Sequence, residues 1–295
     1  MIGKIKGKKA KDTGTVDNRK SPRDILSNQI ETVGDLGSMR ASPNCRGTVS
    51  LAAKEVTPFQ LDLTKYERAE EICASKAIKI IEAAGNKQRA NITLDMGKCI
   101  LCGRCQEVSP ELFKVESMFV PSTKKRQDLI KSVFSEKAST ENKSYEKMGK
   151  ELKDKVSKIL GRSLAVREVD AGSCNGCEVE ITALNNPIYD IERFGIHFVA
   201  SPRHADLLLV TGPASRNMEV ALKRTYEATP DPKIVVAVGA CACSGGIFGD
   251  TYATTGGIDK VVPVDVYIPG CPPRPEAILY GLLSAVDRLQ PMVKK

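Results

Sequence analysis

The C-terminal part of this chain is predicted to form a doubly wound parallel α/β sheet, preceded by a small α+β unit. Three observations predict it. Short β-rich runs alternate with helical patterns from Leu164 onward, which is the signature of strands joined by crossover helices. Several of the β-rich runs end directly in a glycine, as in KIVVAVG and VDVYIPG. The segment before this alternation is different in kind: a cysteine-bearing stretch from about 55 to 115, then a charged stretch with sparse apolar positions. A length of 295 residues and 41% hydrophobic content agree with about two domains.

In chain order, residues 1–54 are polar and basic, with one short amphipathic stretch near Ile25–Ile30, and are expected to be a flexible or partner-bound arm. Residues 55–120 form the small cysteine-bearing unit. Residues 121–161 carry apolar positions at helical spacing among many charges and are expected to be a helical linker. Residues 162–295 hold the sheet: LAVREVD as a strand, CEVEITALNNPIYDIERFG as helix, then the strands IHFVA and ADLLLVTG. NMEVALKRTYEATP follows as helix, KIVVAVG and VDVYIPG as strands, and EAILYGLLSAVDRLQ as an amphipathic helix.

The net charge of +8 suggests nucleic acid until it is located. Residues 1–60 and 121–161 each carry eleven Lys and Arg against six Asp and Glu, together more than the whole excess. Basicity therefore sits in the arm and the linker, where solvated charge is the simpler reading. There is no Trp, and none of the seven Tyr and seven Phe interleaves with the lysine runs, so base-stacking platforms are poorly supplied and no nucleic-acid partner is expected. The longest apolar runs, such as Ile234–Val238, fall far short of the roughly 18 residues of a spanning helix, and no apolar signal stretch follows the basic start. A cytoplasmic protein without its own membrane span is expected, and ten cysteines in a reducing compartment suggest metal ligands rather than disulfides.

The stretch DMGKCILCGRCQEVSP carries three cysteines of the run C-x2-C-x2-C-x3-C-P that holds iron-sulfur clusters in bacterial ferredoxins; Ser109 stands where the fourth belongs. In two-cluster ferredoxins the fourth cysteine of each motif ligates the other motif's cluster. Placing LTKYERAEEICASKAI on the same template puts Leu63, Tyr66 and Ala69 at the first three positions and Cys73 at the fourth. Loss of one whole cluster leaves this residue set, so one cluster is expected on Cys73, Cys99, Cys102 and Cys105. The alternatives are Cys73 as a buried small hydrophobe on a helix AEEICASKAIKIIEAA, with Ser109, water or Cys45 as the last ligand, or a three-iron species. Zinc is the rival metal, yet three thiolates crowded on one short loop suit a cube face better than a tetrahedral ion.

Four further cysteines follow predicted strands: Cys174 and Cys177 in DAGSCNGCEVE, Cys241 in VAVGACACSGG, Cys271 in YIPGCPPRPE. Ligands of open parallel sheets bind beyond the carboxyl ends of the strands, so these loops should converge there. Nearby glycines let backbone N–H groups approach cluster sulfides. Of the pair Cys241 and Cys243, Cys241 is assigned to the site. A thioredoxin-like dithiol explains Cys174 and Cys177 alone and leaves Cys241 and Cys271 without a role, and a zinc ribbon fails on spacing. His197 and His204 are expected in packing or local hydrogen bonds, and Glu178 and Glu180 in the first turn of a helix.

These residues also carry a resemblance. SCNGCEVEI, ERFGI, SPRHADLLLVTGP, GACACSGGIFGD and VPVDVYIPGCPPRPEAILYG are similar to the small subunit of membrane-bound, energy-converting nickel-iron hydrogenases of the formate hydrogenlyase type, itself related to the 20 kDa subunit of complex I. The resemblance implies a flavodoxin-like fold and a proximal 4Fe-4S cluster on Cys174, Cys177, Cys241 and Cys271. Complex I-like quinone reductases carry adjacent cysteines where this chain has the spaced CNGC, which favours hydrogenase. The N-terminal unit resembles the polyferredoxin subunit of the same complexes, shortened and fused. The resemblance further implies no catalytic residue in this chain, a nickel-iron centre in a large partner subunit, other ferredoxin-like and membrane subunits, a redox donor such as ferredoxin, and a place on the cytoplasmic face of the membrane in a proton-translocating complex. Glu178 would then face the partner near its proton route. The alternatives are the equivalent subunit of a quinone or sulfur reductase and, more distantly, a zinc-binding nucleic-acid module.

Overall fold

The computed structural model describes residues 48–51, 63–83, 86–116, 119–132 and 144–293. Most of the basic arm and Cys45 lie outside them.

The cysteine-bearing part has the order β-α-β-β-α-β. Strand β1 (Thr48–Leu51) is followed by helix α1 (Leu63–Ile72), strands β2 (Ile78–Ala83) and β3 (Asn86–Asp95), helix α2 (Arg104–Val108) and strand β4 (Phe113–Glu116). The outer strands pair antiparallel, with Leu51 opposite Phe113, and the inner strands pair antiparallel, with Ile80 opposite Ile92. This is the ferredoxin-like arrangement. The run AEEICASKAIKIIEAA is not one helix. Helix α1 stops at Ile72, and the β-branched IKII segment becomes β2 because Ile78 is needed in a core with Ile92, Leu94 and Phe113. Strand β5 (Ile130–Ser132) then adds to β3.

Strands β6 (Leu164–Asp170), β7 (Ile196–Phe198), β8 (Leu207–Thr211), β9 (Ile234–Val238) and β10 (Val266–Ile268) make one parallel sheet in the order β7-β6-β8-β9-β10. Counted within the sheet this is 2-1-3-4-5, the flavodoxin-like winding, so the expected fold class holds. Helices α4 (Gly176–Ala183), α5 (Arg216–Ala228), α6 (Gly239–Ser244) and α7 (Pro275–Val293) accompany it. Both β8 and β9 are buried along their whole length, as the centre of a two-sided parallel sheet requires.

Side chains alternate between two cores. Leu207, Leu209, Val236 and Val238 face one with α7, whereas Leu208, Val210, Val235 and Ala237 face the other, which is continuous with Leu94, Leu112 and Phe113 of the cysteine-bearing part. Helix α3 (Tyr145–Leu160) closes the first core. Its N-cap Ser144 accepts from the Lys147 amide at 3.3 Å, and Gly161 ends it in the left-handed region. Tyr145, Met148, Leu152 and Val156 recur at helical spacing and are buried in one cluster with Leu282, Val286 and Leu289 of α7. Leu152→Ala should therefore lower stability by about 2–5 kcal/mol in denaturant unfolding.

The expected long helix over 177–195 ends at Ala183. Pro187 cannot continue it, and the Asn186 side chain instead accepts from the Ile188 and Tyr189 amides, each at 2.9 Å. On the other side of the sheet the edge strand β10 is covered: Thr123 donates to the Tyr267 carbonyl at 3.0 Å and accepts from the Tyr267 amide at 2.8 Å.

Candidate functional site: two sets of cysteines

Helix α1 delivers Cys73 and helix α2 delivers Ser109, each at the first position past the helix, so the two occupy equivalent places in the β-α-β repeat. Cys99 and Cys102 lie on the loop between β3 and α2, and Cys105 lies in α2. Cys73 lies near enough to Cys99 and Cys105 for its charge to act on both. Burial pushes the Cys99 thiol up to about 12, against the Leu101 amide that donates to its Sγ at 3.4 Å, and the charges of Cys105, Cys73 and Cys102 add to the rise. Burial likewise raises Cys105 to about 11, opposed by a backbone amide, with Cys102 and Cys73 acting on it. The Cys73 sulfur accepts from the Ala77 amide at 3.3 Å.

The second set assembles at the carboxyl edge of the parallel sheet. Cys174 and Cys177 follow β6, Cys241 follows β9 and Cys271 follows β10. Burial first, then Glu178, then Cys241, Cys271 and Cys174 raise the Cys177 thiol above the ordinary range. Burial raises Cys241 to about 11, with Cys271 and Cys174 next, and burial with Cys174 raises Cys271. Cys174 and Cys271 are exposed, so this set opens to the surface. Gly239 lets it close: at φ +89° it occupies the left-handed region, and a Cβ there would lie 2.6 Å from Cys177 Sγ.

No group of three or more Cys, His, Asp or Glu side chains among the described residues is close enough to hold a single metal ion. The donor chemistry nevertheless fits an iron-sulfur core. The leading charges acting on Cys99, Cys105, Cys177, Cys241 and Cys271 are other cysteines or Glu178, all negative, so the leading influences include no protein cation to favour the thiolates. A metal core held by these cysteines would supply the missing positive charge and favour their thiolate forms.

Cys243 stays apart. It is 1% exposed, its Sγ lies 3.6 Å from the Ile268 carbonyl oxygen, and burial pushes it up to about 12. Cys243→Ala should leave iron content unchanged by metal analysis, with a stability loss of about 1 kcal/mol for the small lost volume. The Glu178 carboxylate accepts from the Thr211 hydroxyl at the end of β8, a partner that helix position alone does not suggest. His197 and His204 lie with Arg162, Arg203 and Asp206 along a groove at the amino edge of the sheet, the end opposite the cysteine loops.

The two sets abut. Leu101, between Cys99 and Cys102, lines one cavity of about 20 Å³ with Gly270, Pro272 and Pro273 around Cys271, together with Phe119 and Val120. That space holds no more than about one water.

A flavodoxin-like sheet with four cysteines on the loops at its carboxyl edge, beside a ferredoxin-like part, is the architecture of an oxidoreductase subunit. The profile of the NADH ubiquinone oxidoreductase 20 kDa subunit family matches residues 174–285, and the chain belongs to that family. It is 52% identical over 139 residues to the probable membrane-bound hydrogenase subunit mbhJ of Pyrococcus furiosus, covering 47% of this chain and 83% of the relative. It is 54% identical over 139 residues to formate hydrogenlyase subunit 7 of Escherichia coli, covering 47% of this chain and 54% of that protein. An NADH-quinone oxidoreductase subunit of Citrifermentans bemidjiense is 55% identical over 113 residues, which cover 38% of this chain and 66% of the relative. These relatives are subunits of oxidoreductase complexes. No helix among the described residues is long and apolar enough to cross a membrane.

Proposed function

We propose that the chain is the iron-sulfur electron-transfer subunit of a membrane-bound nickel-iron hydrogenase. Cys73, Cys99, Cys102 and Cys105 of a ferredoxin-like unit (55–120) would hold one 4Fe-4S cluster. Cys174, Cys177, Cys241 and Cys271 of the sheet domain (162–295) would hold a proximal one. Such clusters supply one-electron transfer when bound. The observation that supports the reading is that Leu101, between Cys99 and Cys102, and Pro272, next to Cys271, line one small cavity.

The protein's own residues bind, insulate and orient. Cys99 and Cys105, each 8% exposed, keep the first set away from water, and the Leu101 amide aims at the Cys99 sulfur. Cys174 and Cys271 face outward instead. Exposed Val179, Ile188, Ile247, Phe248 and Tyr252 lie on segments that follow β6 and β9, the side on which those cysteines emerge. Exposed apolar side chains on that side suit a partner. The partner in this reading is a large subunit that holds the nickel-iron centre and reduces protons, or runs in reverse, with electrons arriving from ferredoxin-like subunits or ferredoxin. The complex would sit at the cytoplasmic face of the membrane, this chain being peripheral to membrane subunits that move protons. Spaced Cys174 and Cys177, in place of the adjacent cysteines of complex I-like quinone reductases, favour hydrogenase over a quinone reductase.

Purification of the intact complex without oxygen tests the choice. Hydrogen evolution from a reduced low-potential donor is expected. Reduction of quinone or sulfur without any hydrogen would overturn it.

A further inference from the structure

Asp95 and Arg126 form an ion pair at 2.8 Å, with side chains only 14% and 17% exposed. Both precede the residues matched by the family, 174–285, so nothing in that match gives them a role. Arg126 Nε donates to the carbonyl of Cys243 at 2.8 Å. One guanidinium therefore ties the loop that begins four residues before Cys99 to α6, the helix that carries Cys241. A second tie lies beside it: Ser244 Oγ donates to the Gly97 carbonyl at 2.7 Å. Asp95 also organises the loop itself, its Oδ1 accepting from the Gly97 amide at 2.9 Å and its carbonyl from the Cys99 amide at 3.0 Å.

The fit around the guanidinium is close. A Cβ on Gly97 would lie 2.7 Å from Arg126 Cζ, so a larger residue there would push the charge out of its seat. Arg126 Nη1 is buried with no hydrogen-bond partner. The neighbouring Lys124 and Lys125 of the same basic run are exposed. Holding one cation of the three out of water costs free energy, and a plain solubilising role explains none of it.

We propose that Arg126 is a positioning residue for electron transfer, a strut that fixes the spacing of the two cysteine sets and holds positive charge between them. The inference rests on the cluster reading of the preceding section. A planar fork bound in two directions, to Asp95 and to the Cys243 carbonyl, is stiffer than a lysine ammonium. A weakly screened cation also favours whichever redox state carries the extra negative charge. Removing it leaves Asp95 buried without its partner, which adds to the same electrostatic change.

The test uses the full chain with its clusters assembled without oxygen, measured by electron paramagnetic resonance during a redox titration. In Arg126→Met, iron and sulfide should match wild type, the magnetic coupling between the two reduced clusters should weaken, and the midpoint potentials should shift negative. Arg126→Lys should recover much of the potential but not the coupling. Asp95→Asn/Arg126→Met removes both charges without stranding either and serves if the single variant is insoluble; it should lose the coupling too. Wild-type coupling and wild-type potentials in the soluble variant would overturn the inference while leaving the clusters in place. A wild-type chain without inorganic sulfide would overturn the cluster reading and this inference together.

Discussion

Replacing Cys73 with serine removes or converts one iron-sulfur signal and leaves the other unchanged. The expected loss is up to about four iron atoms per chain, because three thiolates no longer close a four-iron core. The prediction is sharp because Cys73 lies outside the Cys99–Cys105 run. What joins them is the repeat of the fold: Cys73 follows α1 as Ser109 follows α2, and Cys99 and Cys105 both respond to the Cys73 charge. Serine keeps the size, so unfolding is not the expected cause of the loss. Iron counting beside electron paramagnetic resonance separates the outcomes. Two undiminished signals would return Cys73 to the role of a small core residue.

Gly239→Ala is expected to remove the other cluster. The residue sits at φ +89°, where a side chain costs roughly 1–2 kcal/mol. The larger effect is steric. The added Cβ would lie 2.6 Å from Cys177 Sγ, with the Gly270 carbonyl oxygen at 3.6 Å and Pro273 Cδ at 3.7 Å, so the sulfur must move. Cys177 is the member of its set on which three other cysteines act, and its displacement should cost the cluster rather than the fold. A folded, colour-depleted protein that retains the Cys73 set signal is the predicted result, read by absorbance and circular dichroism together. Full iron in a folded Gly239→Ala protein would show that the cysteines do not converge there.

The parallel sheet was legible because alternation of strand and helix needs only local pattern, and each of β6 to β10 lies within a run readable by eye. The shared edge of the loops that carry Cys174, Cys177, Cys241 and Cys271 was legible from a rule of topology, that loops at the carboxyl ends of parallel strands lie together. Boundaries within short apolar runs were not legible. IKII reads equally as helix or strand, and only its pairing with β3 decides. Asn186 and Pro187 carried a stop signal that the amphipathic pattern around them obscured. Arg126 was hidden for another reason: in KKR nothing distinguishes the buried cation from its two exposed neighbours, since its partners Asp95 and Cys243 are far away in sequence. The bond between Glu178 and Thr211 was hidden in the same way.

The central claim is that eight sulfurs, four and four, enclose two inorganic cores. Iron and acid-labile sulfide should be counted on the full chain purified without oxygen, with resonance spectra recorded after reduction. About eight irons with about eight sulfides per chain, and two interacting signals, are predicted. Zinc in place of iron, or protein free of inorganic sulfide, would contradict the account.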